Sequence, residues 1–280
     1  MPAGINIAGD ISGYVQTIFE MSNMVARDNT FVLPLVTTFD DNMGTAARTR
    51  SEYGTATFNQ VSDADDLTSQ TFLPTTQESL TPYEFGAQFF ITDTRRRNAA
   101  VEAATDAANE LGSSMATTVQ QNVLSKMSSF TGGTVGTAGG TVTWGNIFAA
   151  ISKLKIQNAP EPYIGVLHVG QWYHLGTVAV PAGAQTNGPQ LQDAINARYF
   201  VGQFFNTLWF VTTDIASGTA ATGGVFSRAA LAYDERVPFR IEPERDASRR
   251  GIELNATMTY ASGVWRPKFG VQIIATSVVP

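Results

Sequence analysis

Between Asp93 and Phe130 apolar residues recur at steps of three and four: Val101, Ala104, Ala108, Leu111, Met115, Val119, Val123 and Met127. That repeat belongs to one face of an α-helix. No proline stands between Pro82 and Pro160, so nothing breaks this helix on steric grounds. Asp93 or Thr94 is placed to cap its start. At ~1.5 Å per residue the segment makes a rod of roughly 50 Å. A compact domain of 280 residues is narrower than that, so the rod must project or lie across a broad sheet. Its stripe is mostly Ala, Val and Met, and its other faces carry Thr, Ser, Gln and Asn. Arg95, Arg96 and Arg97 stand at its start, where the helix dipole disfavours each cation by about a few tenths of a kcal/mol. A cluster held against the dipole points to an outside anion.

Upstream, the pattern is short and broken. Asp10 is placed to cap a helix reaching about Ala26, with Ile11, Tyr14, Val15, Ile18 and Met21 or Ser22 along one side. Phe31–Val36 follows as an apolar run in which Pro34 forbids a central strand position. Residues 1–44 therefore read as an N-terminal arm with apolar surface and no core of its own. Residues 45–92 are β-prone. Tyr53, Thr55, Thr57 and Phe58 predict a strand over 53–61, Asp63, Asp65 and Asp66 form an acidic turn, and 71–92 returns in extended form, interrupted by Pro74 and Pro82. The result is a long two-stranded hairpin. An isolated hairpin is marginal in water, so this one is expected to lie on another surface.

Beyond the rod, Gly132, Gly133, Gly136, Gly139 and Gly140 mark 132–140 as a Gly/Thr linker. No Lys-Ser or Lys-Thr follows them, which excludes a phosphate loop. Ile147, Phe148, Ile151 and Leu154 predict a helix over 144–156. Strands over 163–169, 207–213 and 224–233 alternate with short helices near 171–175 and 193–200 and a loop over 181–189. Such alternation predicts a small α/β domain over 141–233. Val237, Phe239 and Ile241 then alternate with polar residues, as do Ile252, Leu254, Ala256, Met258 and Tyr260. Phe269, Val271, Ile273 and Ala275 make a last strand. Residues 234–280 thus supply the sheet expected to cover the rod of 93–131. A charged turn within them carries Glu242, Glu244, Arg245, Asp246, Arg249 and Arg250.

Composition narrows the function. With 43% hydrophobic residues the chain can bury a real core. No run of 18 apolar residues offers a transmembrane helix, and no basic-then-apolar N-terminal segment marks a secretion signal. Zero cysteines exclude disulfides and thiolate metal sites, and fit a reducing compartment. A net charge of −6 argues against gripping nucleic acid through the overall field. The only histidines, His168 and His174, share no helical face, so packing and capping roles are expected rather than a metal pair. The serine-hydrolase elbow, the Walker sequence and the two-histidine zinc helix motif are all missing. Carboxylates at 242, 244 and 246 are crowded by Arg240, Arg245, Arg249 and Arg250, which is ion-pair hardware and not an acid/base pair tuned apart. No catalytic, cofactor or metal residue is read from the chain, and an enzyme is not expected.

The order of arm, long hairpin, long helix, small α/β domain and returning strands resembles the major capsid protein of tailed bacteriophages, the Hong Kong 97-type shell fold shared with encapsulins. Leu80–Asp93, Val166–Leu175, Phe239–Arg250 and Trp265–Val271 carry the likeness. The resemblance implies an α+β fold. Residues 45–92 would be the extended loop lying over a neighbouring subunit, 93–131 the spine helix of a peripheral domain completed by 234–280, and 141–233 the axial domain at five- and six-fold axes. It implies self-assembly into hexamers and pentamers of an icosahedral head around double-stranded DNA, within a virion assembled in the host cytoplasm. A portal and a separate scaffolding protein would be partners, DNA would be touched weakly and without sequence specificity, and no membrane is involved. An encapsulin-type nanocompartment shell is the alternative within the fold. A soluble enzyme built on the α/β domain is the distant one.

Two sets of charges are expected between subunits. The acidic tip of Asp63, Asp65 and Asp66 should meet Arg95, Arg96 and Arg97 of an adjacent copy, with Arg48 or Arg50 as alternative partners. The turn over 242–250 should pair with symmetry-related copies near the three-fold meeting points. One departure stands out. Relatives that lock the shell by a Lys–Asn isopeptide bond carry that lysine in the extended loop. Here the lysines are Lys126, Lys153, Lys155 and Lys268, so this loop cannot form the bond.

Overall fold

The computed structural model describes residues 18, 20–22, 30–40, 44, 46–53, 56–63, 66–70, 73–177 and 200–280. The rod is α1, Asp93–Ser125, 33 residues long and extended by a 3-10 turn at Lys126–Ser129. Its cap is Thr92 and not Asp93 or Thr94. Thr92 closes a strand in extended backbone, the conformation an N-cap needs, and its hydroxyl accepts the Arg95 N–H at 3.3 Å. Ala108, Leu111, Val119, Val123 and Met127 are buried on one face, as the spacing predicts. Gln120 is buried among them, and its side-chain oxygen accepts the Phe31 N–H at 3.5 Å, tying the arm to the helix.

The strands run in chain order β1 (Thr37–Phe39), β2 (Arg48–Tyr53), β3 (Pro74–Leu80), β4 (Tyr83–Thr92), β5 (Thr134–Gly136), β6 (Tyr163–His168), β7 (Phe200–Phe204), β8 (Thr207–Thr212), β9 (Ala221–Ser227), β10 (Leu231–Asp246), β11 (Gly251–Val264) and β12 (Gly270–Ala275), with α2 (Trp144–Ile156) and α3 (Val169–Thr177) on either side of β6. α1 packs on a four-stranded sheet of order β1–β10–β11–β4. Ile252, Leu254, Ala256, Met258 and Tyr260 alternate inward from β11. Tyr260 also accepts a hydrogen bond from the Asn122 side chain of α1 at 2.5 Å. The second sheet has the order β5–β12–β9–β6–β8–β7, covered by α2. Met127, Phe130, Ile164, Val166 and Phe226 carry the core of the first sheet into the second.

Several expectations move. The segment over 132–140 is not a free linker: it holds β5, paired parallel to β12. Gly136 is required there, because its φ is +78° and a Cβ would stand 2.3 Å from the Ile274 carbonyl oxygen. The last strand, expected over the rod, lies instead in the second sheet. The expected strand over 224–233 divides at a 3-10 turn, Arg228–Ala230, into β9 and the start of β10. Phe200, expected to end a short helix, begins β7; the rest of that helix and the loop over 181–189 lie outside the described residues. Of the helix predicted from Asp10 to Ala26, residues 18 and 20–22 are described, and they are helical.

The largest correction concerns the hairpin. Its ladder joins β2 to β3, from Arg48↔Leu80 to Tyr53↔Pro74, while the described residues of 56–70 carry no strand. β4 leaves the hairpin altogether and pairs with β11, from Thr92↔Gly251 to Tyr83↔Tyr260. The cause is plain in the residues. β2 reads Arg-Thr-Arg-Ser-Glu-Tyr, polar on both faces, and a strand without an apolar face leaves no alternation to detect.

Candidate assembly surfaces

The β2–β3 stem shares no ladder with either large sheet. Side chains root it instead. Asp234, fully buried on β10, accepts Arg48 Nε at 2.9 Å and an Arg236 guanidinium nitrogen at 2.7 Å on the same carboxylate oxygen. Arg48 lies 4.3 Å from the centre of the Phe39 ring, and Arg236 also donates to the Gly44 carbonyl at 3.2 Å. Arg50 donates to the Trp265 carbonyl at 2.8 Å; burial, and then the nearby Arg266, lower its pKa. Leu80 closes a small core with Ala232 and Ala261, backed by Phe39 and Trp265 edge to face at 5.3 Å. Arg48 and Arg50, expected as alternative partners of the acidic tip, are therefore engaged inside their own subunit. Beside this joint, Glu235 is half-buried, and its pKa is raised by burial and by the Asp40 carboxylate.

Beyond the stem the loop displays apolar side chains to solvent. Phe58 is 98% exposed and Leu67 81%. Gln70 holds the backbone of Thr57 from both sides, accepting its N–H at 2.9 Å and donating to its carbonyl at 2.5 Å. That clamp presets the segment that carries Phe58. Asp63 and Asp66 are exposed at the tip, and Asp65 lies outside the described residues. Arg95 is exposed, 3.7 Å from Asp106. Arg96 and Arg97 occupy the first turn of α1, and their side chains lie outside the described set. Among the described residues no ion pair joins tip to helix start within one chain.

The charged turn is narrower than expected, because β10 runs to Asp246 and β11 begins at Gly251. Several of its charges are paired within the subunit while remaining solvent-exposed. Arg245 grips both carboxylate oxygens of Asp93, at 2.9 and 2.7 Å, and donates to the Gly251 carbonyl at 2.8 Å. The Asp93 N–H in turn donates to the Arg250 carbonyl at 2.9 Å, so the turn clamps the start of α1. The hydrogen bond to Asp93 raises the Arg245 pKa, and the Ser248 hydroxyl with the Arg249 N–H lowers that of Asp246. Arg249 pairs with Glu253 at 2.8 Å and lies 4.0 Å from the centre of the Phe90 ring. Arg240 sits 3.4 Å from Glu242. Glu244 and Arg250 are exposed with no ion partner among the described residues. Asp93, Glu253 and Phe90 are partners of the turn within the subunit that sequence reasoning missed. Asp93 and Arg245 are 152 positions apart, and nothing local signals the pairing.

The histidines stabilise local structure. His168 Nδ1 accepts the Gly170 N–H at 3.0 Å, with burial lowering its pKa, and His174 Nε2 bonds the Val278 carbonyl at 2.8 Å. Among the described residues no three His, Asp or Glu side chains gather as a metal site, and no helix is long and apolar enough to cross a membrane.

The family model described as phage capsid protein matches residues 75–273, from β3 to β12. No curated protein matches the chain. Among solved structures, the capsid of Ralstonia phage GP4 is 12% identical with a TM-score of 0.67, over 88% of this chain and 88% of that one. A structure from Mycobacterium phage Che8 is 17% identical with a TM-score of 0.64, over 81% and 84%. A virus-like particle from Pyrococcus furiosus is 12% identical with a TM-score of 0.60, over 93% and 99%. At such identities the likeness is one of fold.

Two measurements test the joint at the root of the loop. Asp234→Ala leaves two guanidiniums facing each other without a counter-charge, and is expected to cost about 3–5 kcal/mol in urea denaturation of the purified protein; a cost below about 1 kcal/mol would mean that water replaces the carboxylate. Glu235 has a raised folded pKa, so its ionised form costs stability above that value and nothing below the ordinary 4.5 of a free glutamate. Glu235→Gln should raise the melting temperature at pH 7 and leave it unchanged below the ordinary value. An equal effect at both would place the cause elsewhere.

Proposed function

The chain belongs to the phage capsid protein family, and from that premise we propose that it is the major shell subunit, closing into hexamers and pentamers of an icosahedral head around double-stranded DNA. One observation carries the reading. A loop with Phe58 98% exposed is rooted by a buried ion network, a construction that serves a neighbouring copy and not the monomer. The fold alone is shared with the archaeal virus-like particle, so the choice of a phage head over an encapsulin-type compartment rests on the family match. The family match, to a structural protein, favours this reading over a soluble enzyme. A portal and a separate scaffolding protein complete the proposed partners. DNA contact is weak and without sequence preference, in keeping with the net charge of −6.

Three outcomes follow from this reading. The loop has no lysine and the chain no cysteine, so boiled, denatured shells should run on a gel as single chains of 30.1 kDa; a ladder of covalent oligomers would refute a non-covalent shell. At the turn, Glu244 and Arg250 are the charges left free for reciprocal pairing between copies. Arg250→Glu should leave the subunit folded and block assembly, and the swap Glu244→Arg with Arg250→Glu should restore it; normal shells from the single variant would make the turn a solvated one. The acidic tip is assigned to the arginine-bearing helix start of a neighbour, against whose dipole an incoming carboxylate gains. Asp63→Ala with Asp66→Ala should flatten the salt dependence of assembly, and an unchanged dependence would end that assignment.

A further inference from the structure

The subunit contains both an unfilled socket and an unhoused plug. The socket is a groove of about 110 Å³ between α1 and the first sheet, walled by Leu111, Met115, Phe239 and Met258, with Phe85 and Gly86 of β4 along its side. An apolar cavity of ~150 Å³ takes a benzene ring, so this smaller groove, lined also by Ser114, Thr118 and Thr257, must widen to admit one phenyl group. Two methionines in its wall adapt to an incoming ring. Its mouth opens beside Ser114, which is exposed, and β4 is the outer strand of its sheet, paired with β11 alone. The plug is Phe58. The limbs of its loop are joined by the Gln70 clamp on Thr57 and otherwise enclose a space of about 500 Å³, with the Phe58 ring turned to solvent.

We propose that Phe58 of one copy seats in this groove of the adjacent copy, as the apolar anchor of their contact. The inference rests on the shell reading and names where the loop lands. Spacing and charge favour this occupant over a different protein. Leu111 lies about 21 Å along α1 from Arg97, and an extended chain from Phe58 to Asp66 reaches at most about 26 Å. A loop seated by its ring therefore carries its acidic tip toward the basic start of the same helix. An aromatic ring in a desolvated pocket with a charged pair at the rim is the usual anatomy of an energetic centre.

The cysteine-free chain permits a direct test. Asn59→Cys combined with Ser114→Cys keeps the Phe58 ring and places two thiols at the edge of the proposed contact, within reach of a bridge if the plug is seated. Shells assembled from that double variant and oxidised should give covalent multimers on a non-reducing gel, dissolved by reductant, while either single variant stays at 30.1 kDa. Intact shells that remain single chains overturn the proposal while leaving the shell reading standing, and so does a bridge closed within one chain. Failure of the unsubstituted chain to form shells removes both. Should the double variant not assemble, Ser114→Trp blocks the mouth of the groove from an exposed position. Its subunit should melt as the unsubstituted one does, and its shell yield should drop at least about tenfold, the loss expected for a missing aromatic anchor. An undiminished yield overturns the proposal.

Discussion

The carboxylate of Asp234 ties the loop stem to a sheet with which the stem shares no backbone ladder. Arg48 comes from the loop stem, Arg236 from β10, and Gly44 with Phe39 from the arm. Asp234 is fully buried, and taking an ion out of water costs several kcal/mol even after relaxation. One carboxylate facing two guanidiniums recovers part of that, but its second oxygen and Arg236 Nε make no hydrogen bond. A buried triad of this kind is weak evidence for stability; its physical value is that it tolerates one geometry. The two-stranded stem has a single buried apolar side chain, Leu80 at its base, and β2 is polar on both faces, so little apolar surface is there to orient it. The charges orient it instead, and the direction of the projecting loop is set before any neighbour arrives.

The same division between apolar and charged control decides how much of the fold was legible. α1, α2 and β11 were readable because one buried face imposes a period on consecutive residues. β2 and β3 were not, since Arg48 and Arg50 are placed by distant partners and leave no local period. β12 failed differently. Val271, Ile273 and Ala275 announce a buried strand, and nothing in them says which of two sheets they enter; that is decided by the turn at Pro267–Phe269 and by Gly270, where a Cβ would stand 2.3 Å from the Phe130 ring. The linker glycines misled for a related reason: at Gly136 the missing side chain serves close backbone approach inside a sheet and not freedom.

The assembly surfaces were legible as lists of charges and not as geometry. The turn was read as an outward-facing cluster. Arg245 and Arg249 instead turn back on Asp93, Glu253 and Phe90, and so fasten the end of the sheet to the first turn of the helix. With those two arginines paired inside the subunit, Glu244 and Arg250 are the exposed charges of the turn that have no ion partner among the described residues. Phe58, read as one residue of a strand, is the most exposed large apolar side chain among those described, a fact that no periodicity contains.

If the shell has no covalent locks, as proposed, its strength comes from many weak contacts, and each contact has an entropy of ordering to overcome. A flexible loop would lose ~0.5–1.5 kcal/mol for every rotamer-rich side chain it immobilised on docking. Here that ordering is largely done within the subunit. The stem is held by buried ions, the loop near its tip by the Gln70 clamp, and the start of α1 by the Arg245 grip on its first residue. Association then meets two surfaces already in shape, so a modest apolar anchor and a few exposed ion pairs, each worth only ~0–1 kcal/mol, suffice when repeated around a closed lattice. The cost sits in the isolated subunit, which carries exposed aromatic surface and buried charge with no benefit until a second copy is present.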